Sequence, residues 1–274
     1  MSLKVDALTR TLAGVRQKEP VVHVITNWVT AGDVASALHA AGARPIMAFA
    51  CEEVNDIVSG ADALVLNLGT PDPTRIEAML QAGRRANTLD RPVIFDPVGV
   101  GASRFRAEAA ERILSDLRIA VIRGNRAEIG ALAGKGGKLR GIDTVVAPPD
   151  LRAAAGALSL KTGAVVAVTG PQDLVVSGGT TLIVENGHPM MSQVTGAGCM
   201  LTALIGAFAA VEADLIVAAA GAIGFFGLAG EQAALRAEGP GTFKMALIDS
   251  LYRLTPPDME AGIRLKEQTS IQAT

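Results

Sequence analysis

Aromatic residues, cysteines and clustered basic residues are scarce in this 274-residue chain, and each scarcity excludes a class of protein. Aromatic residues make up only 3% of the sequence, too few for a surface on which single-stranded nucleic acid stacks. The formal net charge is −2, and no block of basic residues provides the electrostatic footprint of a nucleic-acid-binding protein. We therefore expect no nucleic-acid partner.

Cysteine is rare, since the chain has only Cys51 and Cys199. Two cysteines do not make a disulfide framework, and a reducing cytoplasm is the expected compartment for such a chain. The N-terminal segment has no long apolar stretch typical of a signal peptide. The most apolar run, residues 215–230, is shorter than the ~20 residues of a membrane span and is flanked by Asp214 and Glu231. We interpret it as a buried core helix and expect no membrane partner.

Short runs rich in Val and Ile alternate with longer helical patterns along much of the chain. The apolar runs occupy residues 21–26, 45–49, 63–69, 92–97, 120–125 and 164–170, and helical patterns occupy residues 30–42, 52–59 and 74–87. Nearly continuous apolar strands separated by helices are typical of a parallel sheet covered on both faces. The pattern therefore predicts an α/β fold with a central, mostly parallel sheet between two layers of helices.

The second half of the chain predicts an edge hairpin followed by helices. Two further apolar runs, residues 173–178 and 181–186, lie close together around a Gly-Gly pair, which is typical of an antiparallel hairpin. The chain then reads as helical to near residue 255, and the polar tail from about residue 256 is predicted to be loose. Because no linker or long repeat interrupts the pattern, we predict a single domain over residues 1–274.

Polar residues cluster directly after the predicted strands. In open parallel sheets, ligands bind beyond the carboxyl ends of the strands, so these positions are candidates for function. They are Asn27, Met47, residues 67–70, Asp96, residues 123–128, Thr169 and the turn at residues 195–199. Phosphoryl transfer needs carboxylates for Mg²⁺, cations and backbone N–H groups for the phosphoryl oxygens, and a pocket for the acceptor. The Thr-Gly-Ala-Gly turn before an apolar helix is the kind that directs N–H groups at an anion.

Other nucleotide and metal motifs are missing from the sequence. It has no P-loop, because no Gly-x-x-x-x-Gly-Lys-Ser/Thr occurs, and no Gly-x-Gly-x-x-Gly joins a strand to a helix as a dinucleotide site requires. The three histidines, His23, His39 and His188, form no metal-ligand cluster in sequence, so we expect no zinc site.

Seven segments together carry a family resemblance. They read VHVITNWVT, GARPIMA, LVLNLGT, FDPVGVGASRFR, IRGNRAEI, VAVTG and VTGAGCMLTALIGAF, and GPGTFKMALIDSLY near the C-terminus adds an eighth. In order and spacing, over roughly residues 15–255, the chain resembles the hydroxyethylthiazole kinases of thiamine salvage, which belong to the ribokinase-like superfamily. The resemblance implies a ribokinase-like three-layer fold, a homotrimer with acceptor sites between subunits, and ATP-dependent phosphorylation of the hydroxyl group of 4-methyl-5-(2-hydroxyethyl)thiazole.

The resemblance also implies roles for the residues that handle Mg²⁺ and ATP. Asp96 and Glu128 are expected at Mg²⁺, directly or through water, with Asn125 in support. Asn125 and Glu128 also have the spacing of a helix capping box, and the two interpretations are compatible. Arg123 and Thr169 are expected to bind ATP, and an Arg at a strand end beside acidic groups suits a bidentate phosphate contact.

The remaining candidates concern the acceptor. Asn27, Met47 and Gly196 are expected to bind the substrate, and Cys199 is the candidate catalytic residue, where most ribokinase-like kinases carry an Asp that acts as base. A thiol with an ordinary pKa near ~8.5 is a poor base at neutral pH, so Cys199 either orients the hydroxyl or acts as a thiolate whose pKa the helix N-terminus lowers. Two alternative functions stay open: a related pyrimidine-alcohol kinase, and a nucleotide-binding regulatory protein without turnover.

Overall fold

A nine-stranded sheet forms the centre of the fold in the computed structural model, which describes residues 2–134, 138–140, 143–146 and 150–269. The strands are β1 (Val21–Ile25), β2 (Arg44–Ile46), β3 (Ala63–Asn67), β4 (Val93–Asp96), β5 (Val121–Asn125), β6 (Lys138–Arg140), β7 (Asp143–Val146), β8 (Val165–Thr169), β9 (Asp173–Ser177), β10 (Thr180–Val184) and β11 (Leu265–Thr269). In the large sheet their order is β11-β10-β9-β8-β5-β4-β3-β1-β2, and β6 pairs with β7 in a separate two-stranded ladder.

The helices lie between and after these strands. They are α1 (Ser2–Lys18), α2 (Ala31–Ala41), α3 (Val54–Ser59), α4 (Pro73–Thr88), α5 (Arg104–Asp116), α6 (Arg126–Leu132), α7 (Leu151–Thr162), α8 (Ala197–Ala209), α9 (Leu215–Ala234), α10 (Pro240–Arg253) and α11 (Pro256–Gly262), with a 3-10 helix at Pro189–Gln193. This arrangement confirms the predicted helical stretch between the hairpin and residue 255.

The strand directions confirm the predicted α/β fold with its mostly parallel sheet. β2, β1, β3, β4, β5 and β8 pair in parallel, whereas β9 runs antiparallel to both β8 and β10. β9 and β10 form the predicted edge hairpin, whose turn includes Gly178 at a positive φ of 54°. Glycine is favoured there because it enters the left-handed region without steric cost.

The two faces of the sheet bury separate hydrophobic cores. Because successive strand residues point to opposite faces, Val65 of β3 packs with α8 and α9, whereas its neighbours Leu64 and Leu66 pack with α4, α5 and α7. All three side chains are essentially inaccessible to solvent. This double coverage explains why the strands read as uninterrupted apolar runs instead of alternating ones.

The long apolar helix α9 belongs to the first of these cores. By length and composition, Leu215–Ala234 is the one helix among the described residues that could cross a membrane, and 83% of its most apolar window is buried inside the protein. The interpretation of this run as a buried core helix is confirmed.

The tail differs from its prediction. Residues 256–269 form α11 and β11 instead of a loose segment, and residues 270–274 lie outside the described residues. The Thr255 side chain caps α11, whose Met259 is fully buried, and β11 adds an antiparallel strand to β10 from Leu265 onward. The tail is ordered because β11 pairs with the free edge of β10 and capping residues stabilise α11. Its polar composition alone had predicted a loose segment. The small β6–β7 ladder was also not predicted.

Candidate active site

The carboxyl ends of five neighbouring strands meet at one edge of the sheet, as expected for a parallel fold. This edge brings together Asn27 after β1, Asn67 at the end of β3, Asp96 at the end of β4, Arg123 in β5 and Thr169 at the end of β8. The first turn of α8, with Cys199, lies against the same edge. Residues far apart in sequence therefore share one polar site.

A chain of buried hydrogen bonds links three of these side chains. Asn27 Nδ2 donates to Asn67 Oδ1 at 3.1 Å, and Asn67 Nδ2 donates to Asp96 Oδ2 at 2.9 Å. The backbone N–H of Gly69 also donates to Asn67 Oδ1, at 3.0 Å. Because each amide has its donors and acceptors engaged, their orientation is fixed, and the chain runs from the acceptor candidate Asn27 to the carboxylate Asp96.

The Cys199 thiol lies beside this chain and accepts from it. The Nδ2 atoms of Asn27 and Asn67 both lie 3.4 Å from Cys199 Sγ. Burial raises the pKa of the Cys199 thiol, and the negative charge of Asp96 raises it further. The alternative in which the helix N-terminus lowers this pKa is therefore wrong, because burial and the nearby carboxylate outweigh it. The thiol is protonated at neutral pH.

Asp96 is a fully buried carboxylate with one satisfied and one unsatisfied oxygen. Oδ2 accepts from Asn67 and, at 2.7 Å, from the hydroxyl of Thr202 on α8, whereas Oδ1 is buried without a hydrogen-bond partner. Burial raises the pKa of Asp96, against the opposing effect of the Arg123 guanidinium, whose Nη1 lies 3.8 Å from Oδ2. An unpaired oxygen at this depth is costly unless a ligand satisfies it.

Glu128 and Asn125 form the capping box at the start of α6. Asn125 Oδ1 accepts from the N–H of Glu128 at 2.9 Å, and Glu128 Oε2 accepts from the N–H of Asn125 at 2.7 Å. Glu128 Oε1 accepts from the N–H of Gly99 at 2.8 Å. Burial, followed by the charge of Asp96, raises the pKa of Glu128 to about 7. The capping interpretation is confirmed. The capping box also holds the Glu128 carboxylate in place.

The two carboxylates fit a divalent cation. Asp96 Oδ1 is buried and unpaired, and Asp96 and Glu128 disfavour each other's ionisation, which a cation between or beside them would reverse. Within the part of the chain that the structure describes, there is no group of three or more His, Cys, Asp or Glu side chains that could hold a metal. A pair of carboxylates is a ligand set that suits Mg²⁺, which binds one or two carboxylates and completes its shell with water and substrate phosphates.

Arg123 is held between β8 and α8. Its Nη2 donates to Thr169 Oγ1 at 2.6 Å, and its side chain is only 12% exposed. On its other side the guanidinium presses on Gly198, where an added Cβ would overlap Nη1 and lie 3.1 Å from Nη2. Arg123 is therefore not a solvated surface residue, and its guanidinium lies at the site edge beside Asp96 and α8.

The turn before α8 depends on Gly196. This residue has φ +89°, and an added Cβ would lie 2.7 Å from Thr30 Cγ2. Thr30 is itself tied to Asn27 Oδ1 by its N–H and its hydroxyl, both at 3.1 Å. The turn is thus packed onto the loop that carries Asn27.

The rim near Asn27 is apolar and exposed. Trp28 and Val29 are 64% and 66% exposed, and the Trp28 ring lies 4.8 Å from the ring of Phe49. The Arg75 guanidinium lies 4.3 Å from the Trp28 centroid, in cation–π geometry. Met47, two residues from Phe49, is half-buried against the core and makes no polar contact that would assign it a role.

Comparison with known proteins decides the family. The model of the hydroxyethylthiazole kinase family matches residues 12–257. The chain belongs to this family. A hydroxyethylthiazole kinase from Desulforudis audaxviator is 49% identical over 93% of this chain and 93% of its own. The structure of a hydroxyethylthiazole kinase protein from Pyrococcus horikoshii superposes with a TM-score of 0.86 at 36% identity, covering 98% of this chain and 100% of that one.

Membership of the hydroxyethylthiazole kinase family confirms the resemblance found in the sequence and the prediction of a phosphotransferase. A ribokinase-like superfamily protein from Enterococcus faecalis has a TM-score of 0.62 over 86% of this chain and 88% of its own, and at 18% identity it shows the fold alone. The ribokinase-like fold prediction is confirmed with it.

Two residues of the site were not assigned from the sequence. Asn67 was noted only as a strand-end residue, yet it bridges Asn27, Asp96 and Cys199. Thr202 was not singled out, although it donates to Asp96. Its position three residues after Cys199 places both on one face of α8, which is the signal that could have identified it.

Proposed function

We propose that this protein phosphorylates the hydroxyl group of 4-methyl-5-(2-hydroxyethyl)thiazole with ATP, in thiamine biosynthesis or salvage. The observation that carries the proposal is the position of Cys199, Asp96 and Arg123 around the first turn of α8. An acceptor hydroxyl beside Cys199 would face the helix N–H groups, and the γ-phosphate would lie between them and the Arg123 guanidinium. Family membership supports the same substrate.

The chemistry is an in-line displacement at phosphorus. The acceptor oxygen forms a bond to the γ-phosphorus, the bond to the bridging oxygen of ADP breaks, and the hydroxyl proton is lost to solvent or phosphate. Asp96 and Glu128 would hold Mg²⁺, which when bound neutralises phosphate oxygens. The Arg123 guanidinium and the amides of residues 195–198, apart from that of Ala197, which donates to Val194, stabilise the transferred group, and Thr169 keeps Arg123 in position.

Cys199 orients the acceptor instead of removing its proton. Its pKa is raised, and its Sγ accepts from two amide groups, so in this proposal the S–H donates to the acceptor oxygen. A loose transition state needs little proton removal early in the reaction, which is compatible with a protonated thiol.

The first prediction concerns Cys199. We expect Cys199→Ala and Cys199→Ser to lose roughly tenfold or less in kcat, about 1.4 kcal/mol of barrier. Cys199→Asp is expected to stay active, because the Nδ2 groups of Asn27 and Asn67 would stabilise its carboxylate. Steady-state kcat from pH 6 to 9 is the measurement. A 10²–10⁴-fold loss in Cys199→Ala, with a folded but inactive Cys199→Asp, would show that the thiol is an essential base.

A coupled assay of ADP release separates this function from its alternatives. Turnover that depends on the thiazole alcohol is the expected result. Turnover with a pyrimidine alcohol and none with the thiazole would favour the related kinase. ATP binding without turnover on either alcohol would favour a regulatory protein.

The assembly is proposed to be a homotrimer whose acceptor sites lie between subunits. The support from this chain is the exposed apolar rim formed by Trp28 and Val29, directly after the acceptor candidate Asn27. An apolar patch beside a site is typical of a surface that a partner covers. The single-domain organisation over residues 1–274 and a cytoplasmic location are part of the same proposal, and the two free thiols suit a reducing compartment.

The second prediction tests this assembly. We expect Trp28→Glu combined with Val29→Glu to yield monomers and to raise KM for the alcohol about tenfold, because charge cannot be buried unpaired at an interface. Light scattering coupled to size exclusion measures the mass. Leu160→Glu, which alters an equally exposed residue on α7, is the control and should leave mass and KM unchanged. A fully active wild-type monomer would contradict the trimer.

A further inference from the structure

Arg126 is a cation at the site edge to which the proposed reaction gives no role. It is the first residue of α6, directly after β5, and it is half-buried. Its Nε is buried without a hydrogen-bond partner, and no ion pair joins it to any acidic side chain among the described residues. Burying a guanidinium nitrogen without an acceptor costs free energy, so the position points to a ligand that supplies one.

The Arg126 side chain is packed against the segment that follows β8. A Cβ added at Gly170 would lie 2.7 Å from Arg126 Nε and 3.5 Å from its Cδ and Cζ, so only glycine leaves room for the guanidinium there. The residue before it, Thr169, accepts the hydrogen bond of Arg123. Arg123 thus bonds Thr169 and Arg126 packs at Gly170, so two arginines three residues apart meet the same short segment.

The surrounding carboxylates leave the Arg126 guanidinium available to bind a ligand. Asp173 interacts electrostatically with both Arg123 and Arg126. Asp173 Oδ1 accepts from the N–H of Gly170 at 2.9 Å, so this carboxylate fixes the segment instead of pairing with Arg126. Burial raises the pKa of Asp173 to about 6, which further weakens it as a permanent counter-ion.

The two arginines differ in what they face. Arg123 contacts Gly198 on α8 and lies 3.8 Å from Asp96, which places it at the point of transfer. Arg126 packs at Gly170, in the segment that follows β8. We propose that Arg126 is a nucleotide-binding residue that holds the β-phosphate, which stays on ADP, whereas Arg123 serves the group that is transferred. This inference rests on the proposed kinase function and adds a specificity determinant for its nucleotide.

The test is the binding of ADP and AMP to Arg126→Gln, measured by titration calorimetry. We expect the Kd for ADP and the KM for ATP to rise about tenfold, because a charged pair of contacts to phosphate is lost. The Kd for AMP should change less than threefold, and kcat at saturating ATP and KM for the alcohol should stay within threefold of wild type. Arg126→Lys should recover part of the ADP affinity.

Gly170→Ala provides a variant that keeps the charge but displaces it. We expect it to weaken ADP binding as Arg126→Gln does, and the double variant to bind no more weakly than Arg126→Gln alone, since both changes remove one contact. Arg104→Gln, at a side chain that is 90% exposed on α5, is the control and should bind ADP normally.

Unchanged ADP affinity in folded Arg126→Gln would overturn the proposal, and so would an equal loss of AMP and ADP affinity. The binding measurement needs no acceptor alcohol. Wild-type protein that binds ADP but does not phosphorylate the thiazole would therefore refute the proposed function separately, and the role of Arg126 would still be decided by its own Kd values.

Discussion

Asp96→Asn and Glu128→Gln are each expected to lower kcat by at least about a hundredfold while the protein stays folded, because each would remove a charge that we propose holds Mg²⁺ in the transition state. Asp96→Asn is expected to disturb the hydrogen bonds of the site less than Glu128→Gln. Its Oδ1 can take the place of the oxygen that accepts from Asn67 and Thr202, and its Nδ2 can take the place of the unpaired oxygen. The fold therefore keeps its hydrogen bonds and loses only the charge.

Glu128→Gln is expected to destabilise the protein more than Asp96→Asn does. Both Glu128 oxygens accept backbone N–H groups, from Gly99 and Asn125, so the glutamine NH₂ group must face one of these donors. We expect a loss of about 1–3 kcal/mol of stability from the unsatisfied donor, which a domain of this size tolerates.

The measurements are kcat at saturating ATP, Mg²⁺ and alcohol, and the thermal midpoint of each variant. Asp116→Asn and Glu77→Gln, at surface ion pairs with Arg84 and Arg112, are the matched controls and should retain full activity. Normal turnover in a folded Asp96→Asn or Glu128→Gln protein would refute the metal assignment for that residue.

Gly198→Ala is expected to lower kcat/KM about a hundredfold without weakening the helix. An added methyl group would overlap the Arg123 guanidinium, which is mostly buried and hydrogen-bonded to Thr169, so the cation must leave its position. The backbone offers no reason for the loss, because Ala is favoured over Gly inside a helix by about 1 kcal/mol. The variant therefore keeps Arg123 in the chain but displaces its guanidinium, so it tests the position of this group.

Gly156→Ala is the control for this prediction. Gly156 lies in α7, and a Cβ added there meets no atom within 4 Å. We expect this variant to have normal kinetics and equal or higher thermal stability. Folded Gly198→Ala with kcat/KM within threefold of wild type would show that Arg123 is not needed where the structure places it.

The fold was predictable because burial leaves a strong pattern in the chain. Asn67 is the one polar residue in the run at residues 63–69, and β3 is buried on both faces. The tail was not predictable in this way. Lys266 and Glu267 read as solvated residues, but β11 forms because the free edge of β10 offers it a ladder of backbone hydrogen bonds. That partner lies more than eighty residues earlier in the chain.

The candidate site was predictable at the level of strand ends but not of contacts. The sequence places Asp96 and Glu128 after their strands, and the structure brings their charges together with Arg123. Asn67 and Thr202 were missed because their roles come from bonds across the fold. The alternative of a lowered Cys199 pKa was wrong for a similar reason. The helix N-terminus can be read from the local sequence, whereas burial beside Asp96 depends on the whole fold.

The two edge strands of the nine-stranded sheet, β2 and β11, bear on whether strands of other chains can add to it. β2 has only three residues, and Pro45 at its centre has no N–H to offer another strand. At the opposite end, β11 carries exposed Lys266 and Glu267. Short, proline-containing and charged edges are poor templates for strands of other chains. The sheets of different copies are therefore expected to remain separate even at high concentration.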